Sequence, residues 1–194
     1  MRIRKPLMKK TNYLLVLAGL VLCALSIRAT TVIPPTFDQL VNDAEFIFQG
    51  NVTDVRSQWV GEGGQRQIVS YVTFKVDDAI KGSPGATYTI RMLGGTVGEI
   101  TMAISDAPEF KVGDKDILFV EHNGTQFVPL VGIMHGRFHV EQDQAGQEVV
   151  TTNEGDPVKN VTQLGKAENA APAGANLTPA AFKAAIQAKL QSAK

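Results

Sequence analysis

Across residues 67–80 the chain alternates with a period of two, and both sides of the alternation are apolar. Ile68, Ser70, Val72, Phe74 and Val76 fall on one side; Val69, Tyr71, Thr73 and Lys75 fall on the other. Successive strand side chains point to opposite faces of a sheet. A strand that is partly apolar on both faces needs cover on both, so this one is expected at the centre of a β-rich fold.

The neighbouring segments repeat the pattern in shorter pieces. Residues 46–55 are rich in β-formers, and Gly50 inside them signals a bulge or a sharp bend. Gly61, Gly63 and Gly64 mark a hairpin loop over residues 59–66. Residues 87–93 predict a third strand after the turn cluster Lys81-Gly82-Ser83-Pro84-Gly85. Gly94-Gly95-Thr96-Val97-Gly98 then reads as a loop needing positive φ angles, leading into a short strand over residues 99–104. Asp106 and Pro108 lie in a second loop. Ile117 to Val120 predicts a buried strand, Asn123-Gly124 a hairpin returning through residues 127–131, and residues 134–140 and 148–152 the last two strands. Short strands separated by regularly recurring turn signals predict a sandwich or small barrel.

Helices are expected only at the two ends of this array. Thr36-Phe37-Asp38-Gln39 has the form of a capping box, with Phe37, Leu40 and Val41 turned inward. After about residue 153, eleven of the last 30 residues are alanine, and Ala170-Ala171-Pro172-Ala173-Gly174-Ala175 reads as a flexible linker. Thr178-Pro179 then offers an N-cap with proline at the first helical position, and Phe182, Ile186 and Leu190 form a narrow apolar stripe. Such a helix either docks on the barrel or a partner, or stays a marginal appendage. The expected organisation is a signal peptide (1–29), a β-domain (36–152), a linker (153–177) and a tail helix (178–193).

The segment from Met1 to Ala29 predicts export. Arg2, Arg4, Lys5, Lys9 and Lys10 precede an uncharged apolar run over residues 13–25, and Ser26-Ile27-Arg28-Ala29 supplies small residues for cleavage after Ala29 or Ser26. The run is about 13 residues long, where a membrane span needs roughly 20. Leu22 precedes the lone Cys23, where a lipoprotein signal places a small residue. Cleavage after Ala29 or Ser26 removes Cys23, so no disulfide supports the domain and an ordinary hydrophobic core must hold it. Cleavage after Ala29 also removes six of the nineteen Lys and Arg and none of the nineteen Asp and Glu, leaving thirteen against nineteen, a net charge of −6. No basic face emerges, so nucleic acid is not an expected partner.

Catalytic and metal motifs do not assemble. His135 and His139 stand four apart in an expected strand, where they are separated by about 13 Å and cannot share a metal. The third histidine, His122, has no partner in sequence, and solvated or capping roles are expected for all three. Asp106, Glu109, Asp114 and Asp116 lack the order of a calcium loop and read as solvated turn residues. Ser57, Ser70, Ser83 and Ser105 lie outside any nucleophile elbow, and the glycines at 94–98 lead to a strand rather than to a phosphate-binding helix. No cofactor is indicated. Asn51, Asn123, Asn160 and Asn176 begin glycosylation sequons, which matter only in a host that glycosylates exported proteins.

Three motifs in order resemble the netrin-like modules of tissue inhibitors of metalloproteinases and complement proteins, and also exported bacterial proteins of this length. They are Leu40-Val41-x-x-Ala44-Glu45-Phe46-Ile47-Phe48-Gln49-Gly50-Asn51-Val52, then Val76-Asp77-Asp78-Ala79-Ile80-Lys81-Gly82, then Phe110-Lys111-Val112-Gly113-Asp114-Lys115-Asp116-Ile117-Leu118-Phe119-Val120. The resemblance implies an all-β fold with a small OB-like barrel and a long first hairpin. The inhibitors chelate protease zinc through an N-terminal cysteine, which a chain cleaved after Ala29 lacks, so the fold carries over and the inhibitory residues do not.

The functional expectation is an exported, non-enzymatic binding module whose partner is a protein or envelope component. The candidate contact residues are Gly94, Gly95, Thr96 and Gly98 in one loop and Asp106 and Pro108 in the other, because loops on a rigid β-scaffold commonly carry binding. The alternatives are a regulator of a secreted metalloprotease, or a hydrolase that pairs carboxylates from Asp106, Glu109, Asp114 or Asp116.

Overall fold

Thr36 opens the ordered domain as the sequence predicts. In the computed structural model, which describes residues 34–166 and 174–192, the Thr36 hydroxyl accepts from the Gln39 amide and Gln39 Oε1 accepts from Thr36 N at 2.8 Å. The reciprocal bonds start helix α1 (Phe37–Asp43), which buries Phe37, Leu40 and Val41 on one side. Lys81 closes its other end: its ammonium donates to the carbonyls of Val41 and Asn42 at 2.8 and 3.0 Å. Burial pushes the Lys81 pKa down, against the nearby charge of Asp43. The expected signal segment, with Cys23, lies outside the described residues, as do residues 167–173 of the expected linker.

Six strands form one antiparallel sheet. In chain order they are β1 (Phe46–Val60), β2 (Gln67–Lys81), β3 (Thr87–Leu93), β6 (Lys115–Val120), β7 (Arg137–Gln142) and β8 (Glu148–Thr152). Their spatial order is β3-β2-β1-β6-β7-β8. A separate ribbon, β4 (Gly95–Val97) with β5 (Ile100–Met102), lies between β3 and β6 in sequence. The fold is mostly β, and its large sheet does not close on itself. Both edges are covered by other segments instead. Along β3, Leu93 N donates to Phe127 O at 2.7 Å, and the Asn123 side chain bridges Arg91 N and Thr89 O. Along β8, Val150 N donates to Leu177 O and Val158 N to Val150 O, each at 2.9 Å.

Alternation in β1 and β6 sends side chains into two cores. Ile47, Ile117 and Phe119 join α1, Phe138, Val140 and Val150 on one face. Phe48, Val52, Leu118 and Val120 join Val72, Phe74, Ile90, Met92 and Phe110 on the other. Strand β1 reaches both by bulging: its pairing with β2 shifts at three places, one of them between Gln49 and Gly50. A Cβ on Gly50 would sit 2.6 Å from Lys75 O, so only glycine permits this approach.

The tail helix α2 (Pro179–Ser192) docks. Phe182 and Ile186 are fully buried in the first core, with Phe182 packed on Phe138 at 4.9 Å between ring centroids and near Phe37 and Phe119. Lys183 and Lys189 add ion pairs to Asp78 and Asp38. Residues 153–166, expected at the start of a linker, are also structured. They form turns and a 3-10 segment (Val161–Gln163) that place Val158 in the core.

Asn123-Gly124 lies in the turn that brings residues 127–131 back against β6, with Thr125 N and Gln126 N donating to His122 O. The return pairs at the antiparallel bridge between Val120 and Leu130, flanked by Glu121 N to Pro129 O and Val131 N to Phe119 O, rather than as a full strand. The Asn123 amide is spent on the edge of β3, and β6 pairs with β7. The last-but-one strand starts at Arg137, not Met134, because Gly132 (φ 64) and Ile133 (φ 63) turn the chain into a 3-10 segment (Ile133–Gly136).

Replacing Phe182 by alanine removes the ring that ties α2 to the sheet. It is expected to cost about 3–5 kcal/mol, read from urea unfolding followed by the single tryptophan, Trp59.

Candidate functional site

The glycines at 94–98 build one wall of a cleft. Gly94 (φ 95) and Gly95 (φ 126) swing the chain out of β3 through angles that other residues rarely adopt. Gly95 lies so close to the hydroxyls of Ser57 and Ser70 that no Cβ fits. Ser70 donates to Gly94 O at 2.7 Å and is itself 2.8 Å from Ser57 Oγ, so the ribbon is moored to the β1–β2 hairpin. Gly98 (φ 62) and Glu99 then turn β4 into β5 in two residues. The expected loop is thus partly a strand, because this glycine turn lets residues 95–97 pair with residues 100–102.

The facing wall is the segment 103–111. Asp106 takes a left-handed conformation (φ 62), Pro108 is buried, and Phe110 packs edge-on against Phe74 at 5.5 Å. Between the walls is a cleft of about 410 Å³ floored by Val55, Val72 and Met92. Gly94, Gly95, Thr96 and Pro108 line it, so both candidate loops converge on one space. Gly98 and Asp106 do not line it; Gly98 turns β4 into β5, and Asp106 turns the chain within the second wall.

A buried charge cluster fastens the second wall. Arg137 of β7 is 2% exposed and Asp116 of β6 is fully buried. The guanidinium donates to Asp116 Oδ2 at 3.1 Å, to Asp114 Oδ2 at 2.7 Å and to the Glu109 carbonyl at 2.6 Å, and it stacks on the Phe110 ring at 4.0 Å. Asp114 Oδ2 also accepts from Lys111 N at 2.8 Å. One cation therefore holds residues 109–114 against β6 and β7, with its bonds charge-assisted. On the far side of Asp116, His139 Nδ1 lies 2.8 Å from Oδ1. That hydrogen bond raises the His139 pKa, against burial and the Arg137 charge.

This cluster corrects the reading of Asp114 and Asp116 as solvated turn residues and of His139 as a solvated or capping histidine. The alternation of β6 puts Asp116 on the same face as Leu118 and Val120, inside the protein. Its partner Arg137 stands 21 residues away and shows no motif. The one available signal was an aspartate in phase with that apolar alternation. Asp106 and Glu109 have exposed side chains, and of the four candidate carboxylates only Glu109 lines the cleft. No group of three or more His, Cys, Asp or Glu is poised for a metal among the described residues. No described helix is long and apolar enough to cross a membrane.

Comparison with protein-family models, curated proteins and solved structures finds no match. Function is therefore read from the site.

Arg137→Met strands a buried carboxylate and is expected to destabilise the fold by about 3–5 kcal/mol, with limited proteolysis showing new cleavage in residues 106–114. Adding Asp116→Asn to it should cost less than the two separate losses combined, which a double-mutant cycle in urea measures. A raised folded-state pKa means that His139 stabilises the protein fully below its unfolded value of about 6.5. That contribution is lost as pH rises through the higher folded value. The stability gap between wild type and His139→Gln should therefore be wider at pH 5.5 than at pH 8.5.

Proposed function

We propose that this chain is an exported, non-enzymatic binding module that engages a protein or envelope component through the cleft between the β4–β5 ribbon and residues 103–111. The convergence of the two candidate loops on one apolar-floored space carries this reading. Ligand sites are commonly concave and mostly apolar, with a few placed polar groups, and the Ser57 and Ser70 hydroxyls and the glycine backbone supply those here. The carboxylates support a binding role over hydrolysis. Asp114 and Asp116 both serve Arg137, which leaves them tied to a structural cation rather than free to move protons.

We read the six-stranded sheet as a partly open, OB-like barrel of netrin type. The long β1–β2 hairpin supports that reading, as does the way residues 123–127 lie along the outer edge of β3. Export follows from the three-part layout of the segment 1–29.

Ala103 is exposed and lines the cleft, so Ala103→Trp fills it without disturbing a core. Pull-downs from cell-envelope extract with wild type and with this variant should differ, the variant losing a partner that the wild type retains. Identical recovery by both proteins, or robust turnover of a substrate, would overturn the reading.

A further inference from the structure

We infer that the occupant of the cleft is an extended polypeptide segment, which adds as a third strand to the open edge of β5; this rests on the reading of the cleft as the binding site. The two-residue turn at Gly98 and Glu99 makes Val97 and Ile100 a hydrogen-bonded pair, and Gly95 and Met102 the next such pair. Thr96 and Thr101 are then the intervening non-bonded pair, consistent with their hydroxyls meeting at 2.9 Å. In that position Thr101 turns its own N–H and C=O away from β4. Thr101, Met102 and Ala103 line the cleft, and among the described residues they make no backbone hydrogen bond beyond the ribbon.

The two edge strands of the six-stranded sheet are treated differently. β3 is covered by Asn123 and Phe127, and β8 by Val158 and Leu177. Proteins blunt an edge by keeping it very short or with charge, proline, a bulge or a covering segment; β5 is three residues long, but Ile100-Thr101-Met102 has no charge or proline. An open edge inside a groove matches one kind of partner, a chain whose backbone can pair with it while alternate side chains fill the floor.

Charge limits the sequence of that partner. The floor of Val55, Val72 and Met92 is uncharged, so side chains pointing down into it must be uncharged as well. The charged lining residues are Glu109 and Lys111, both exposed and of opposite sign. Beyond Ala29 the chain carries thirteen Lys and Arg against nineteen Asp and Glu, which disfavours an acidic segment. The partner is a neutral or basic strand with small or apolar residues at every second position.

Linear peptides selected from a random displayed library on the full chain provide the probe. A selected peptide is synthesised, and its affinity is measured for wild type and for Ala103→Trp. It is then remeasured with each backbone nitrogen methylated in turn. Strand addition predicts at least about a tenfold loss in the variant. It also predicts losses of about fivefold to tenfold on methylation at alternate positions only, because each removes one backbone hydrogen bond. Losses without a period of two, in a peptide that Ala103→Trp still blocks, would overturn strand addition and leave the cleft reading standing. Recovery of no peptide, or binding indifferent to Ala103→Trp, would overturn both. Dimerisation of the full chain that Thr101→Pro abolishes would assign the edge to a second copy and overturn the peptide reading.

Discussion

Over its first half, strand β1 is paired along both edges and buried on both faces, and the other elements can be read as the cover this demands. Residues 46–51 pair with β6 on one side and residues 47–51 with β2 on the other. Ile47 and Phe48 are adjacent in sequence, yet they enter different cores. A strand in that position has no solvated face, so helices α1 and α2 close one side while β3, Phe110 and the β6–β7 connection close the other. The bulges in β1 and the glycine at position 50 let one continuous strand serve both.

Where the second core reaches its rim, apolar packing gives way to a buried cation. Arg137 joins a core aromatic, two carboxylates and a loop carbonyl, so residues 109–114 are held by charge as well as by Phe110. Burial of such a group is costly unless every donor is used, and here the guanidinium meets acceptors on three separate residues. The same contacts keep one wall of the cleft in place. The opposite wall is set by sterics, with Gly95 against Ser57 and Ser70. The cleft is thus defined by one ionic anchor and one glycine contact.

Much of the strand order was legible because alternation is a local signal. β3 and β8 match their expected limits, and the capping box marks α1 to the residue. The misses have different causes. The strand expected from Met134 begins at Arg137 because Gly132 and Ile133 turn the chain first. Asp116 looked like part of an acidic turn, and only the approach of β7 shows it buried and paired.

Sequence alone determined the β-rich class, the double-faced strand β2, the capped helices and the glycine-dependent geometry at 94–98, because each depends on residues within a few positions of one another. Tertiary structure alone decided that the two candidate loops share one cleft, that Arg137 and His139 both bond to the buried Asp116, and that α2 completes a core. Those outcomes depend on contacts between segments far apart in the chain. Which distant partner satisfies a given charge, edge or apolar stripe is settled only when all of them compete for the same space.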